Sequence, residues 1–508
     1  MNEDCVRSRP VRLAAVLTGL GEAELQHMFA GSRVLVRIEK RFAEVLDAHE
    51  ILLLAVNQIL RFCPNLAVGL GPASRELFAA CQKLAWAIHG PAHPIQAVGL
   101  EELEDFDAIL SIGVEIRSDL PWIAVNSNGW VARIAPLGST ATRLAWEPTL
   151  PNPLGAHAAA ALGAGQVFMK LIGYKVPMAA SEISLDSYEL SSPGALDPGP
   201  LLPDSPLNLD GFLVGCGAVA NGWAYTIKRL PIVGQLHAVD RESLGTENLG
   251  PYVGADRAWL KLPKVELIRD LLRPSVRVIP HAEEWELFKI RLQYGLKVPR
   301  LIINGLDNVE TRHSVQRLWP ECLIDMASGG TTSQVIVKSP SNEGLCLLHA
   351  LTRPPHEVGY AERLTRETGL SVERIRHGPT SPITDADVRD APVLKRADLD
   401  RDRQRGELLC SRITRHNLRS DAHQSDFAPA APFVSCLTGV MAAAETVKWL
   451  LGRQYPLSLH IQSDFRRVGL RALGMRCRTE CECRANNTPF SNPTGIRSCS
   501  SLEHSIPG

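Results

Sequence analysis

Apolar and polar positions follow two recurring rhythms along this chain, one helical and one extended. Glu50–Leu60 is apolar enough for either a helix or a buried strand. Asn65–Leu70 (NLAVGL) reads as a short strand. Ser74–His89 places Leu77, Phe78, Cys81, Leu84, Ala85 and Ile88 at helical spacing. Phe106–Ile112 and Trp122–Asn126 predict buried strands. Asn128-Gly129 marks a turn into a further strand, Trp130–Ile134. Pro153–Ile172 predicts a long Ala-rich helix. Ser181–Pro206 carries Ser, Pro, Leu and Asp with no sustained period, and its later part, 191–206, reads as a linker.

A second set of elements begins at Leu207. The pattern predicts strands Gly211–Val214, Gly234–Val239, Leu301–Asn304 and Glu321–Asp325, with an apolar segment Ser333–Val337. Helices are predicted at Val219–Arg229, Lys264–Leu272, Glu310–Trp319 and Ser435–Leu451. Strands alternating with helices indicate α/β layers. Residues 353–425 are polar and charged, a mobile lobe or insertion, and the last 24, 485–508, predict a disordered tail.

Length and charge narrow the classes. A chain of 508 residues exceeds one ordinary core, so two or three domains are expected. The apolar fraction of 45% and charged fraction of 21% are globular. A formal net charge of −1 argues against a nucleic-acid partner. The start, MNEDCVRSRPVR, has no secretory apolar run, and Ile51–Leu60 and Ala158–Ile172 are too short or too polar to span a bilayer. The 12 scattered cysteines do not form a disulfide framework, so a cytoplasmic chain with free thiols and no membrane contact is expected.

The sharpest chemistry lies in Leu209–Asp240. Strand GFLV runs into Gly215-Cys216-Gly217-Ala218-Val219-Ala220 and then a helix. Gly215 allows the tight turn; Gly217 and Ala218 bring backbone and the helix start toward a phosphate. Ala220 is an accepted third position. The next strand ends at Asp240, 25 residues after Gly215, where a carboxylate meets a ribose. A tight turn without ligand and a dehydrogenase site both explain these residues. Asn248, Lys264 and the segment Gly305-Leu306-Asp307-Asn308-Val309-Glu310-Thr311-Arg312 add more: a lysine and an aspartate at the same sheet edge suit a triphosphate and Mg²⁺. The plain alternatives are a turn-capping Asn248, a solvated Lys264 and an N-capping Asp307.

On these residues, about Leu207–Ala350 with Thr438–Leu451 (TGVMAAAETVKWLL) resembles the ThiF/MoeB adenylyltransferases, relatives of the ubiquitin-activating enzymes. The resemblance implies two Rossmann-like α/β units, the second a ThiF-type mononucleotide-binding fold with a mixed sheet. It implies ATP with Mg²⁺, with Asp240 on the ribose, Lys264 on the phosphates, Asp307 on the metal and Arg312 as a structural partner of the Asp-Asn motif. The family's Asn-Leu-x-Arg departs here to Asn248-Leu249-Gly250-Pro251; Arg257 or a cation from another domain would have to serve. The first half resembles a degenerate ThiF-like domain placed before an active one. Asn65–Ser74 holds Gly69 and Gly71 without a convincing phosphate register, so this half reads as a non-catalytic brace. The organisation expected is 1–190 pseudo-adenylation domain, 191–206 linker, 207–352 ATP-binding domain, 353–425 lobe, 426–484 completion of the ThiF fold and 485–508 tail.

The resemblance also directs attention to thiols. An acyl-adenylate passes to a nucleophile, and Cys410, among arginines in the lobe, is the candidate thiolate. Cys346 stands where relatives carry a zinc cysteine; with Cys477, Cys481 and Cys483 it makes a possible Zn²⁺ site, His349 offering Cys-x-x-His spacing. Cys216, Cys322 and Cys436 read as packing residues. No spacing singles out His349, His377 or His416. The expected activity is adenylylation of the C-terminal carboxylate of a small ubiquitin-like or sulfur-carrier protein, with a conjugating enzyme as a further partner and a fused pseudo-dimer or homodimer as assembly. A non-catalytic scaffold and an NAD-dependent oxidoreductase remain as rivals.

Overall fold

The computed structural model describes residues 4–476, apart from 71–73, 92, 100–101, 114–119, 136–150, 177–178, 193, 293–296, 339–343, 352–364, 367, 378–382, 405–430, 454, 456 and 468. Two compact units result: Met1–Leu351 with Pro429–Gly508, and Thr352–Ala428. Both halves read from the sequence fall in the first unit.

That unit contains two eight-stranded sheets. The first holds β1 (Val34–Ile38), β2 (Leu66–Gly69), β3 (Gln96–Val98), β4 (Ala108–Ile112), β5 (Trp122–Asn128), β6 (Val131–Ala135), β7 (Ser181–Ser184) and β8 (Leu190–Ser191). The second holds β9 (Leu207–Val214), β10 (Ile232–Val239), β11 (Val276–His281), β12 (Leu301–Asn304), β13 (Cys322–Gly329), β14 (Thr332–Lys338), β15 (Ser458–Asp464) and β16 (Leu470–Met475). Their orders, β3-β2-β1-β4-β5-β6-β7-β8 and β11-β10-β9-β12-β13-β14-β15-β16, are the same order used twice. In each, five strands run parallel and the last three return antiparallel. The order reverses between β1 and β4 and between β9 and β12, which opens a crevice at the carboxyl ends of those strands.

The helices follow from the apolar spacing. They are α1 (Asp4–Thr18), α2 (Glu22–Gly31), α3 (Leu46–Leu60), α4 (Arg75–His89), α5 (Pro153–Leu171), α6 (Ala218–Ile227), α7 (Lys264–Leu272), α8 (Trp285–Leu292), α9 (Val309–Gln316) and α10 (Pro432–Leu450). Glu50–Leu60 resolves as helix, with Ile51, Leu54, Ala55 and Ile59 buried along it. Both 19-residue helices, α5 and α10, begin on proline, whose missing N–H costs nothing in a first turn. Helix α10 has the length and hydropathy of a membrane span, yet it is mostly buried within this unit. The segment Ser181–Pro206 is less irregular than its pattern suggests, because β7 and β8 add to the first sheet. Strands of four and two residues are too short to display a period.

The sheets are joined through helices. Helix α3 packs on α5, α6 on α10, and α5 on α10. Phe29, Phe62 and Phe168 of the first half meet Phe433 and Phe465 of the second, with Phe168–Phe433 centroids 5.2 Å apart and Phe433–Phe465 4.9 Å. At the α6–α10 crossing a Cβ on Gly439 would lie 2.2 Å from the Trp223 amide nitrogen, so only glycine lets the two backbones approach this closely. A polar interlock accompanies the apolar one. The Tyr188 hydroxyl donates to Glu445, Lys448 Nζ donates to Glu445 Oε1 at 2.7 Å, and the ammonium lies 3.9 Å from the Tyr188 ring centre.

The second unit has its own small core of Leu370, Ile375, Ile383, Ala391 and Leu399. Thr384 caps helix Asp385–Asp390, and Arg374 grips Asp387 through two hydrogen bonds of 2.7 and 2.8 Å.

Candidate nucleotide site

The site is assembled at the carboxyl edge of the second sheet. Gly215 leaves β9 with φ +81°, and a Cβ there would meet Gly305 C and Leu306 N at 2.9 Å. A glycine is therefore required twice over, by conformation and by the approach of the loop after β12. The Gly215 amide donates to Val239 O at 2.8 Å and the Gly305 amide to Val214 O at 2.8 Å, which pins three strand ends together. Gly217 caps α6; a Cβ there would be in ordinary van der Waals contact, 3.9 Å from Gly305 O and from Tyr252 Oη. The first-turn amides that follow are the anion-binding end of a helix.

Asp240 follows β10. Its Oδ2 accepts the Cys216 amide at 2.7 Å and its Oδ1 the Glu242 amide at 2.8 Å. Burial pushes this carboxyl above the ordinary range, against the pull of nearby Lys264. Lys264 opens α7 and is 5% exposed. Its Nζ pairs with Glu242 and lies 5.6 Å from the Tyr252 ring centre. Burial opposes the lysine's charge, but Tyr252, Glu242 and Asp240 outweigh it and hold the ammonium well above its usual pKa. Asn248 is buried, and its Oδ1 accepts the Gly245 amide at 2.9 Å. It shapes the turn before Tyr252.

Asp307 is exposed on the loop after β12 and, among the described residues, makes no hydrogen bond or ion pair. The cap of α9 is Asn308, whose Oδ1 accepts the Thr311 amide at 3.1 Å. Capping therefore does not occupy Asp307, contrary to the plain alternative above. The Arg312 amide donates to Asn308 O of the Asp-Asn motif at 3.0 Å, but its side chain is ion-paired to buried Asp325, which also accepts from Asn304 Nδ2 at 2.7 Å. Arg257 is not at the phosphate side either: its Nε donates to Ile88 O at 3.0 Å, at the end of α4.

The first half reaches this site in two places that the sequence did not mark. Arg61, on the turn after α3, is buried; it donates to the carbonyls of Leu249, Val253 and Ala255 and to Asn57 Oδ1. Burial lowers its pKa to about 9, so it remains charged at neutral pH. Arg61 braces the Asn-Leu loop but spends its donors on backbone. Helix α1 packs against Thr246–Asn248, and Arg9 on it lies close enough to Glu242 and Tyr252 to favour their anionic forms. The only sequence signal for Arg61 was its type, a cation in an otherwise apolar stretch; Arg9, one of three arginines in residues 6–12, carried none.

At the equivalent place in the first sheet, the chain after β1 reads Glu39-Lys40-Arg41-Phe42, with no glycine turn. The Phe42 ring lies 2.3 Å from where a Cβ on Gly113 would be, filling the counterpart of the Gly215–Gly305 contact. Leu66–Gly69 forms β2, the short strand expected over Asn65–Leu70.

The thiols divide cleanly. Cys216 is buried, and burial with the Asp240 charge raises it well above the ordinary thiol range, so it is a poor nucleophile. Cys436 is pushed up to about 12 by burial. Cys346 is fully buried, with Sγ 3.6 Å from His349 Nδ1. Among the described residues no group of three or more His, Cys, Asp or Glu side chains is placed to hold a metal. Cys410, Cys477, Cys481 and Cys483 lie outside the described residues. A cavity of about 440 Å³ lined by Asp210, Arg300, Glu321, Glu445 and Arg453 sits at the opposite, amino-terminal edge of the second sheet, away from the glycine turn.

Fold and site together define an α/β chain with a duplicated sheet and a glycine turn at the crevice of the second. The ThiF family model matches residues 207–489, more than half of the chain, and the chain belongs to the ThiF family. The BilD N-terminal domain model matches residues 37–185. The uncharacterized protein y4jF of Sinorhizobium fredii is 27% identical over 281 residues, which cover 53% of this chain. The chain spans about half the length of that curated relative (51%). Solved structures of E. coli MccB are also similar: with SeMet MccA, 13% identity, TM-score 0.37, 55% of this chain and 68% of that one; with ATP, 13%, 0.35, 55% and 67%.

Proposed function

We propose that this chain is an ATP-dependent adenylyltransferase that activates the C-terminal carboxylate of a small ubiquitin-like or sulfur-carrier protein in the cytoplasm. The observation that carries the reading is convergence: the Gly215–Gly217 turn, Asp240, Asn248, Lys264 and unpaired Asp307 meet at one sheet edge. These residues fit ATP by chemistry. Asp240 accepts from the ribose, and the α6 amides and Lys264 meet the phosphates. Asp307, a hard oxygen donor with no partner among the described residues, fits Mg²⁺, which when bound offsets charge on the departing pyrophosphate. Arg9 supplies the phosphate-side cation that Pro251 does not.

The reaction is then a displacement. A carboxylate oxygen attacks the α-phosphorus, the acyl–phosphate bond forms, and the bond to pyrophosphate breaks. The chain's work is positioning and charge stabilisation. A thiolate, with Cys410 as candidate, then attacks the acyl carbon and AMP leaves, giving a thioester ready for a conjugating enzyme. The first half serves as the fused, non-catalytic partner, bracing the loop through Arg61. A structural Zn²⁺ on Cys346 with Cys477, Cys481 and Cys483 is a separate element, tested by metal analysis of Cys346→Ser.

ATP–pyrophosphate exchange with Mg²⁺ and a panel of small proteins ending in glycine tests the reading. Exchange is expected with one class of carrier and is lost in Asp307→Ala, whose exposed side chain leaves the fold intact. ATP binding without exchange on any carrier points to a scaffold; tight NAD binding without ATP binding points to an oxidoreductase.

A further inference from the structure

We infer that Glu242 is an internal stand-in for phosphate: its carboxylate holds the Lys264 ammonium in the nucleotide-free chain, and a triphosphate must displace it. The inference rests on the nucleotide reading above.

The pairing is set by backbone. Asp240 accepts the Glu242 amide, which fixes the turn out of β10. The Lys264 amide donates to Glu242 O at 2.9 Å, and Ser243 bridges Pro263 antiparallel. The carboxylate and ammonium therefore face each other across a short bridge between two chain segments. They do not meet through the chance reach of two long side chains.

The two partners are unequal. The Lys264 side chain is 6% exposed and that of Glu242 is 55% exposed. Lysine is thus the fixed member, steadied by the Tyr252 ring beneath it, and glutamate is the member able to turn to water. Arg9 lies near the same carboxylate. The residue that draws two cations together is an oxyanion two positions beyond Asp240, on the side of the turn where phosphates follow a ribose. An incoming triphosphate brings more charge to both cations than one carboxylate does, so the exchange is favourable. AMP, without the outer phosphates, has nothing to compete with.

The magnitude follows from exposure. An ion pair with one partner half in water is worth up to about 1 kcal/mol, so removing the competitor tightens ATP by roughly fivefold. Equilibrium binding of ATP and of AMP, each with Mg²⁺, is measured on the full chain, its Glu242→Gln and Glu242→Asp variants, and Lys264→Met. The expected result is ATP bound about fivefold tighter by Glu242→Gln, AMP unchanged, Glu242→Asp near the parent, and ATP binding lost in Lys264→Met. Equal or weaker ATP binding by Glu242→Gln overturns the inference and makes Glu242 a positioner of Lys264 or a metal ligand. Equal tightening of ATP and AMP also overturns it. If the parent and Glu242→Gln both bind no ATP, the nucleotide reading itself fails, which is distinct from the first two results.

Discussion

Replacing Arg61 by methionine keeps the volume and removes every donor. Three buried acceptors, the carbonyls of Leu249 and Ala255 and Asn57 Oδ1, then lose a charged partner, while Val253 O keeps the Asn57 amide at 2.8 Å. Each orphaned acceptor costs about 1 kcal/mol at the low end, so roughly 3 kcal/mol is at stake. An opposing term comes from the guanidinium, which is buried with no carboxylate in ion-pair range among the described residues; its pKa is lowered because burial disfavours the charge. Deleting the charge returns part of this, so global stability falls by only about 1–2 kcal/mol. The loss is concentrated in the loop. Amide exchange over Leu249–Ala255 is expected to accelerate, and ATP binding to weaken about tenfold, equivalent to about 1.4 kcal/mol. Hydrogen-exchange mass spectrometry and ATP titration of Arg61→Met read both. Unchanged loop protection together with unchanged ATP affinity would refute the claim that Arg61 braces the site from the first half.

Three further outcomes are expected. Gly439→Ala puts a methyl 2.2 Å from the Trp223 nitrogen, so the α6–α10 crossing must open; a loss of 3 kcal/mol or about that is read by denaturant unfolding, and a neutral result disproves the close crossing. Lys448→Met strands the buried Glu445 charge and should cost about 3–5 kcal/mol, with Lys448→Met/Glu445→Leu recovering most of it; an additive double-mutant cycle argues against the pair. Asp47 is raised to about 7, by burial first, despite accepting from Asn152 N and Ser127. Its folded pKa exceeds its unfolded one, so between about pH 4 and 7 the folded chain binds more protons and this group's stability contribution falls as pH rises. Asp47→Asn should therefore gain melting temperature relative to the parent on going from pH 5 to 8; parallel curves would remove Asp47 from the account.

Much of the architecture was legible in local patterns. The strand GFLV, the turn Gly215–Gly217 and the helix after it are written in consecutive residues, because a tight turn into a helix is a local steric problem. Lys264–Leu272 and Leu301–Asn304 have the same bounds in the structure as in the periodic pattern. Strands β7 and β8 were not legible, since they form only by pairing with β6 and each other. Neither were β15 and β16, which complete the second sheet from more than a hundred residues away.

The sequence by itself determined which residues carry chemistry: glycines where φ must be positive, a carboxylate at a strand end, a lysine opening a helix. Only the tertiary structure decided what those groups face. It turned Arg257 to the end of α4, engaged Arg61 with three carbonyls, gave Arg312 to Asp325 and put Glu242 against Lys264. The reason is physical. Conformational preference is set by neighbours in the chain, whereas the partner of a charge is set by burial and distance, which arise only when segments far apart in sequence pack together.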